Sequence, residues 1–200
     1  MYRHFFKRLI DIVLSALAAV VLLIPMIIIG ILVKIDSPGP ALFFQKRFGA
    51  NRSYFNIIKF RSMPVSVDHD LPTDRFDRAA ELSGFQRFIR KYSIDELPQI
   101  YNILAGDMSI IGPRPALWNQ YDLIEERERL GANGVRPGLT GWAQVNGRDE
   151  LEVAQKARYD GEYAANLSFA FDVKCFFMTL SAVIHHRGVS EGGPEEGKKK

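Results

Sequence analysis

Cysteine is nearly absent: Cys175 is the only one in 200 residues, so no intrachain disulfide can form and the chain fits a reducing compartment. Set among Phe176, Phe177 and Met178, it reads as a small buried hydrophobe rather than a nucleophile. No G-x-x-x-x-G-K-[ST] run occurs, which excludes a P-loop, and no segment repeats internally. An excess of one charge is missing from most of the chain as well. The net charge of +3 arises within residues 1–34, where Arg3, Lys7, Arg8 and Lys34 stand against the single acid Asp11. Without them, residues 35–200 hold 22 bases and 22 acids. A neutral body has no global attraction for a phosphate polymer, which argues against nucleic acid as a partner. Any anion it binds must meet a local site.

What the chain does have is a long uncharged run. Ile12–Val33 is 22 residues with only Ser15 polar, about 33 Å as a helix, enough for a hydrocarbon core of about 30 Å. It exceeds the h-region of a secretory signal and reads as a retained anchor. Pro25 sits near its middle, where a missing N–H and a ring clash kink a helix. Basic residues flank both ends, Arg3, Lys7 and Arg8 before it and Lys34, Lys46 and Arg47 after it. The residues therefore allow two readings, a re-entrant hairpin with both ends on the cytoplasmic face or a bitopic helix with a tolerated proline.

The length fits one further domain. Asp36 to Pro40 is a turn cluster, and Ala41–Phe44 with Ser53–Phe60 form an expected strand pair. Residues 64–77 read as a polar surface loop. Helices are expected over Leu82–Tyr92, Asp95–Leu104 closed by Gly106, Leu117–Leu130, Leu151–Tyr163 and Phe169–His186, with loop or strand over 135–148. The fold class is α/β, predominantly helical with a small sheet and surface amphipathic helices. The expected division is a membrane helix over 1–34, a cytoplasmic catalytic domain over 35–190 and a flexible tail over 191–200.

Chemistry concentrates in two stretches. In the first, Ser93-x-x-Glu96 has the form of a capping box, but Pro98 then falls where its N–H is wanted. With Asp95 as N-cap, Pro98 is the third helical residue and harmless. A carboxylate at that terminus is favoured as an anion, and the same terminus attracts phosphate. Aspartate is a nucleophile toward phosphorus. Two anions that must meet require cations, and Gly112-Pro113-Arg114-Pro115 aims a guanidinium from stiff chain. Lys59 and Arg90 are further phosphate contacts, each otherwise ordinary surface charge. In the second stretch, Arg136-Pro137-Gly138 precedes Thr140, Gly141, Trp142, Gln144, Asn146, Gly147 and Arg148, a mixture suited to a nucleobase or sugar or, alternatively, to a tight hairpin with a core Trp. Asp68-His69-Asp70 has a metal-binding D-x-D form but reads as a solvated run, and His185-His186 lacks the spaced partners of a metal site.

These motifs resemble the small monotopic phosphoglycosyl transferases of the bacterial sugar transferase family. The resemblance covers Lys7-Arg8-x-x-Asp11, Lys59-Phe60-x-x-Met63, the run from Asp95 through Gly106 to Ser109, Gly112 to Pro115, and Arg136 to Arg148. It is closest to short members that make N-acetylated amino-sugar carriers, such as the diacetylbacillosamine-phosphate transferase type. It implies a re-entrant helix broken at Ile24-Pro25, with Ile24 where some members carry Ser. It also implies a two-step reaction at the cytoplasmic face of the bacterial inner membrane. Asp95 attacks the sugar-bearing phosphate of a UDP-sugar, UMP leaves, and undecaprenyl phosphate takes the phosphosugar. Glu96 is the dyad partner. Lys59, Arg90 and Arg114 contact phosphate, and Arg136, Thr140, Trp142, Gln144, Asn146 and Arg148 are nucleotide-side candidates. Mg2+ is the implied cofactor, with Asp95 as its protein ligand. Membrane lipids are implied contacts, and exposed apolar helix faces permit a homodimer. Two other classes are compatible with the motifs: a membrane-anchored adaptor, and a metal-dependent glycosyltransferase that uses Asp68 and Asp70 and releases UDP.

Overall fold

Residues 1–64, 82–147 and 150–184 are described by the structure, a computed structural model. After a π-helical turn, Tyr2–Phe6, helix α1 runs Lys7–Val21 and α2 runs Leu23–Asp36. The two meet at Leu22 (φ −89°, ψ 0°) with a bend of 62°. The break lies three residues upstream of Pro25 because the proline ring clashes with the carbonyl four residues back, that of Val21. Pro25 itself is the third residue of α2, where a missing N–H costs nothing.

One edge of α1 is polar and buried, with Lys7, Asp11 and Ser15 at successive i, i+4 positions. Asp11 accepts from Ser109 Oγ (2.8 Å) and from the Ile110 N–H (3.0 Å). Lys7 Nζ donates to Asp172 Oδ2 at 2.7 Å. Arg8 forks onto the carbonyls of Ile103 and Leu104 (2.5 and 2.9 Å), placing a cation at a helix C-terminus, where the dipole favours it. The other edge leaves Leu9, Val13, Leu17 and Val20 exposed. Among the described residues no single helix is long and apolar enough to cross a membrane, whereas α1 and α2 together satisfy length and composition.

Strands β1 (Leu42–Phe48) and β2 (Tyr54–Phe60) form the expected antiparallel pair. β1 runs four residues further than its apolar stretch, because Phe48 still finds a core position. Helix α3 is Gly84–Lys91, capped by Ser83 and Gln86 in a true capping box. Helix α4 is Gln99–Ala105, ended by Gly106 at φ +101°. Met26 and Val33 of α2, Phe60, Ile89 and Ile100 form one apolar cluster, so α2 rests on β2, α3 and α4. A buried aliphatic side chain contributes about 1.5–3 kcal/mol. Helices α5 (Tyr121–Arg129), α7 (Val153–Ala165) and α8 (Phe169–Ile184) complete the body. α5 begins four residues after the expected Leu117, since Arg47 and Leu117 form an isolated antiparallel β-bridge. Cys175 is fully buried, and burial pushes its thiol up to about 12.

Residues 135–147, the described part of the second stretch, do not make a hairpin. Strand β4 (Gly138–Thr140) pairs in parallel with β3 (Ser109–Ile111), then enters the short helix α6 (Trp142–Val145). Among the described residues there are thus two two-stranded sheets rather than one. Backbones here approach too closely for side chains. A Cβ on Gly138 would sit 2.1 Å from the Gly112 N, and one on Gly141 would sit 2.0 Å from the Gly112 O. Backbone cannot yield as a side-chain tip can. Gly138→Ala is therefore expected to destabilise by about 3 kcal/mol or more, whereas Gly84→Ala, with nothing within 4 Å, should be neutral or slightly stabilising. Thermal unfolding of the two variants in nanodiscs compares them.

Candidate active site

The site assembles where β2, β3 and the approach to α4 meet. Asp95 and Glu96 lie in a 3-10 turn, Ile94–Glu96, entered through Ser93 in the left-handed region (φ +53°). Asp95 is not the N-cap of α4, which starts at Gln99 after Pro98. The restraint on Pro98 is met by making it the N-cap, and the preceding chain turns more tightly, with Glu96 N–H on Ser93 O and Leu97 N–H on Ile94 O. A non-glycine residue held left-handed stores strain of the kind found at functional sites.

Both carboxylates are buried, each 8% exposed. Glu96 Oε1 accepts from Lys59 Nζ and from Arg114 Nη2, both at 2.9 Å. Asp95 Oδ2 accepts from Ser62 Oγ at 3.0 Å. Lys59 lies one residue before the end of β2, Ser62 follows the strand, and Arg114 comes from the turn after β3. Arg47 joins from β1. Gln45 and Arg47 lie on the same face of the hairpin as Lys59, since Phe43 pairs with Lys59 and Arg47 with Phe55. Arg47 donates to Pro115 O (3.0 Å) and to Gln45 Oε1. Arg61 donates to Ser37 O and Pro38 O, each at 2.6 Å, so the end of α2 is tied one residue from Ser62.

Lys59 bears electrostatically on both carboxylates, Arg90 on Asp95, and Arg47 and Arg114 on Glu96, leaving the cluster cationic. Burial pushes the Asp95 carboxyl above its usual range, and Glu96 adds to this, while Lys59, Arg90 and the Ser62 hydroxyl oppose it. Burial likewise pulls the Lys59 ammonium below its usual range, with Glu96 and Asp95 opposing and Arg114 and Arg47 assisting. The pH window in which Asp95 is an anion and Lys59 a cation is therefore narrowed from both sides. A bell-shaped kcat/KM profile is expected, with its acid limb above the ordinary aspartate range and its alkaline limb below the ordinary lysine range. Lys59→Met removes a cation that lowers the Asp95 pKa, so the acid limb should move to higher pH; an unmoved limb would mean that another group titrates.

A cleft of about 330 Å³ opens beside Glu96 and Arg114, walled by Leu97, Ile100, Leu139 and Leu180. Thr140 and Gln144 also reach it, with Thr140 hydrogen-bonded to Thr179 (2.8 Å) and Gln144 Nε2 to Leu139 O (3.0 Å). Asn146 lines a neighbouring hollow and donates to Trp142 O at 2.7 Å. Two nucleotide-side candidates have other partners: Trp142 is a core residue that donates to Glu162 (2.9 Å), and Arg136 Nε caps Gly106 O (2.9 Å). Arg148, Asp68-His69-Asp70 and His185-His186 lie outside the described residues. Sequence reasoning did not single out Ser62 or Arg47. Arg47 had a period-two signal with Gln45 and Phe43, but nothing in the local sequence marks Ser62.

Among the described residues no three His, Cys, Asp or Glu side chains gather as a metal cage. Mg2+ ordinarily takes one or two carboxylates together with substrate phosphates and water. Asp95 fits that limited role, since among the described residues the only hydrogen bond to its carboxylate is the one Oδ2 accepts from Ser62.

The profile of the bacterial sugar transferase family matches residues 2–186. An undecaprenyl-phosphate glucose phosphotransferase of Komagataeibacter xylinus is 39% identical over 194 residues, covering 90% of this chain and 36% of the relative. A UDP-N-acetylgalactosamine-undecaprenyl-phosphate N-acetylgalactosaminephosphotransferase of Aeromonas hydrophila is 37% identical, covering 90% of this chain and 44% of the relative. The chain thus spans well under half the length of these two. It covers 87% of the exopolysaccharide production protein ExoY of Sinorhizobium fredii, at 30% identity. With the family profile extending over nearly all of its length, the chain belongs to the bacterial sugar transferase family.

Proposed function

We propose that this chain is a phosphoglycosyl transferase that moves a sugar-1-phosphate from a UDP-sugar to undecaprenyl phosphate and releases UMP. The observation that supports this most is the buried Asp95–Glu96 pair under excess cations, with Glu96 on the wall of an apolar cleft. A carboxylate oxygen of Asp95 attacks the sugar-bearing phosphorus, the bond to the UMP oxygen breaks, and UMP departs with that electron pair. A phosphate oxygen of the lipid then attacks the same phosphorus and breaks the acyl-phosphate bond, regenerating Asp95. Glu96 holds Lys59 and Arg114 in place, and those two cations with Arg90 lower the repulsion between carboxylate and phosphate. Asp95 would hold Mg2+, which screens diphosphate charge. Thr140, Gln144 and Asn146 are the nucleotide-side candidates that line hollows.

The bent α1–α2 pair acts as a re-entrant anchor at the cytoplasmic face of the inner membrane. Its buried polar edge faces the body, and its exposed Leu, Val and Ile residues face lipid. Basic flanks at both ends favour that arrangement over a span. The donor is an N-acetylated amino sugar, as the resemblance to short family members suggests. The test is nucleotide release by nanodisc-held protein given undecaprenyl phosphate, Mg2+ and a panel of UDP-sugars. UMP with one N-acetylated donor is the expected product. UDP would indicate transfer of the sugar without its phosphate, and no nucleotide from any donor would favour the adaptor.

A further inference from the structure

The carbonyls of Arg114 and Pro115, two consecutive residues, are each held by a guanidinium, that of buried Arg127 and that of half-buried Arg47. Arg127 Nη1 donates to Arg114 O at 2.9 Å, and Arg47 Nη1 donates to Pro115 O at 3.0 Å. Arg127 is itself fixed by two bonds, Nε and Nη2 to Asp160 Oδ2 at 2.8 and 2.6 Å. Arg127 is 5% exposed and Asp160 1%. Asp160 Oδ1 has no hydrogen-bond partner.

Such a pair is poor at stabilising a fold, because desolvating two charges consumes most of what their attraction returns. An apolar pair would suit this position between α5 and α7, where Leu123 and Ala157 already pack with Phe48 and Ala116. What an apolar pair lacks is a donor for the Arg114 carbonyl. That carbonyl needs a donor from elsewhere, because Pro113 and Pro115 on either side of Arg114 have no N–H and the turn cannot make a regular ladder. The held backbone belongs to the residue whose guanidinium reaches Glu96 on the other side. We propose that Arg127, braced by Asp160, is a positioning residue that acts on the reaction through Arg114. The inference rests on the proposed reaction only for its catalytic half. The mechanical half is that the Arg127–Asp160 pair immobilises residues 112–117.

The experiment is a double-mutant cycle between Arg127→Gln and Arg114→Ala in the full chain held in nanodiscs, read as UMP release, with amide hydrogen exchange over residues 112–117 as the activity-independent arm. Arg127→Gln alone should lower kcat about 10–100-fold, as a catalytic group displaced by about 1 Å does. It should change the KM for the UDP-sugar less. In the Arg114→Ala background the same change should cost under about threefold, because a residue acting through another adds nothing once that other is gone. Arg127→Lys should recover part of the rate by keeping one donor. Exchange over 112–117 should accelerate in Arg127→Gln. Multiplying losses, or unchanged exchange, would overturn the proposal and leave a purely structural ion pair. Should Arg127→Gln fail to fold, Asp160→Asn carries the same cycle. If the wild type releases no UMP while exchange still accelerates, the proposed reaction is wrong and the mechanical half stands, but Arg127 is then no positioning residue for transfer.

Discussion

Asp95→Asn is expected to reduce UMP release by more than about a thousandfold and to leave the fold intact. The amide keeps the shape of the carboxylate and can still accept from Ser62 Oγ, the bond present at 3.0 Å, but it has no anionic oxygen to offer phosphorus. Burial argues for an intact fold as well. The Asp95 carboxyl is pushed up chiefly by desolvation, so its charge is a load on the folded state and a neutral amide removes that load. In linkage terms, a raised folded pKa means that stability declines as pH rises through the titration, and the Asn variant should lose this part of the pH dependence. Thermal unfolding and nucleotide release on one preparation check both halves. A variant that retained turnover would exclude Asp95 as the nucleophile.

Glu96→Ala should have the second largest effect, and of a different kind. Glu96 Oε1 is the shared acceptor of Lys59 and Arg114, whose side chains are 13% and 30% exposed. Deleting it leaves two cations facing one another without their bridge. Removing one partner of a buried ion pair costs about 3–5 kcal/mol, and here the remaining charges also repel. Lys59 has a route out that Arg114 lacks. Its ammonium is already pulled below the usual range by burial and by Arg114, so without Glu96 it should lose its proton at still lower pH. Turnover should fall about a hundredfold or more, with the alkaline limb of the profile moving to lower pH. Chemical unfolding and the pH profile of the variant test this. A variant of wild-type stability would show that the cations re-pair elsewhere, for instance with Asp95.

The fold was legible wherever periodicity and composition acted locally. The β1–β2 hairpin, α3, α7 and α8 stand close to where their patterns place them, because side chains alternate or recur on the face that each element buries. Helix starts were less legible. The capping pattern at Ser93 and Glu96 looked like a helix entrance, yet the functioning box is Ser83 with Gln86, because the N-cap geometry at Ser93 is lost once its backbone turns left-handed. The hairpin alternative for the stretch from Arg136 does not form, for a related reason. β4 pairs with β3, which lies more than twenty residues earlier in the chain, and Gly112, Gly138 and Gly141 serve that crossing rather than a local turn.

Of the site, Asp95, Lys59 and Arg114 could be named from residue type and spacing and Glu96 only from the family resemblance, and the structure brings all four together. Arg136 and Trp142 have the right chemistry for a ligand, but one caps α4 and the other fills the core. Their motif is equally a folding motif, and only packing distinguishes the two uses. Arg127 belongs to a highly charged helix end, and the run Glu125 to Arg129 gives no sign of which member turns inward. A carboxylate at position 160, on a helix not yet placed, selects it.

The chain's order alone therefore carries its single-cysteine chemistry, its apolar N-terminal run with a proline in it, its neutral body and the identities of the charged side chains that gather at the candidate site. All of these are properties of residue type or of neighbours within a few positions. Which face of α1 enters the body, where the helix bends, which guanidinium is buried and which carboxylate shares two cations depend on groups far apart in the chain that desolvate one another. Those energies exist only between surfaces already in contact.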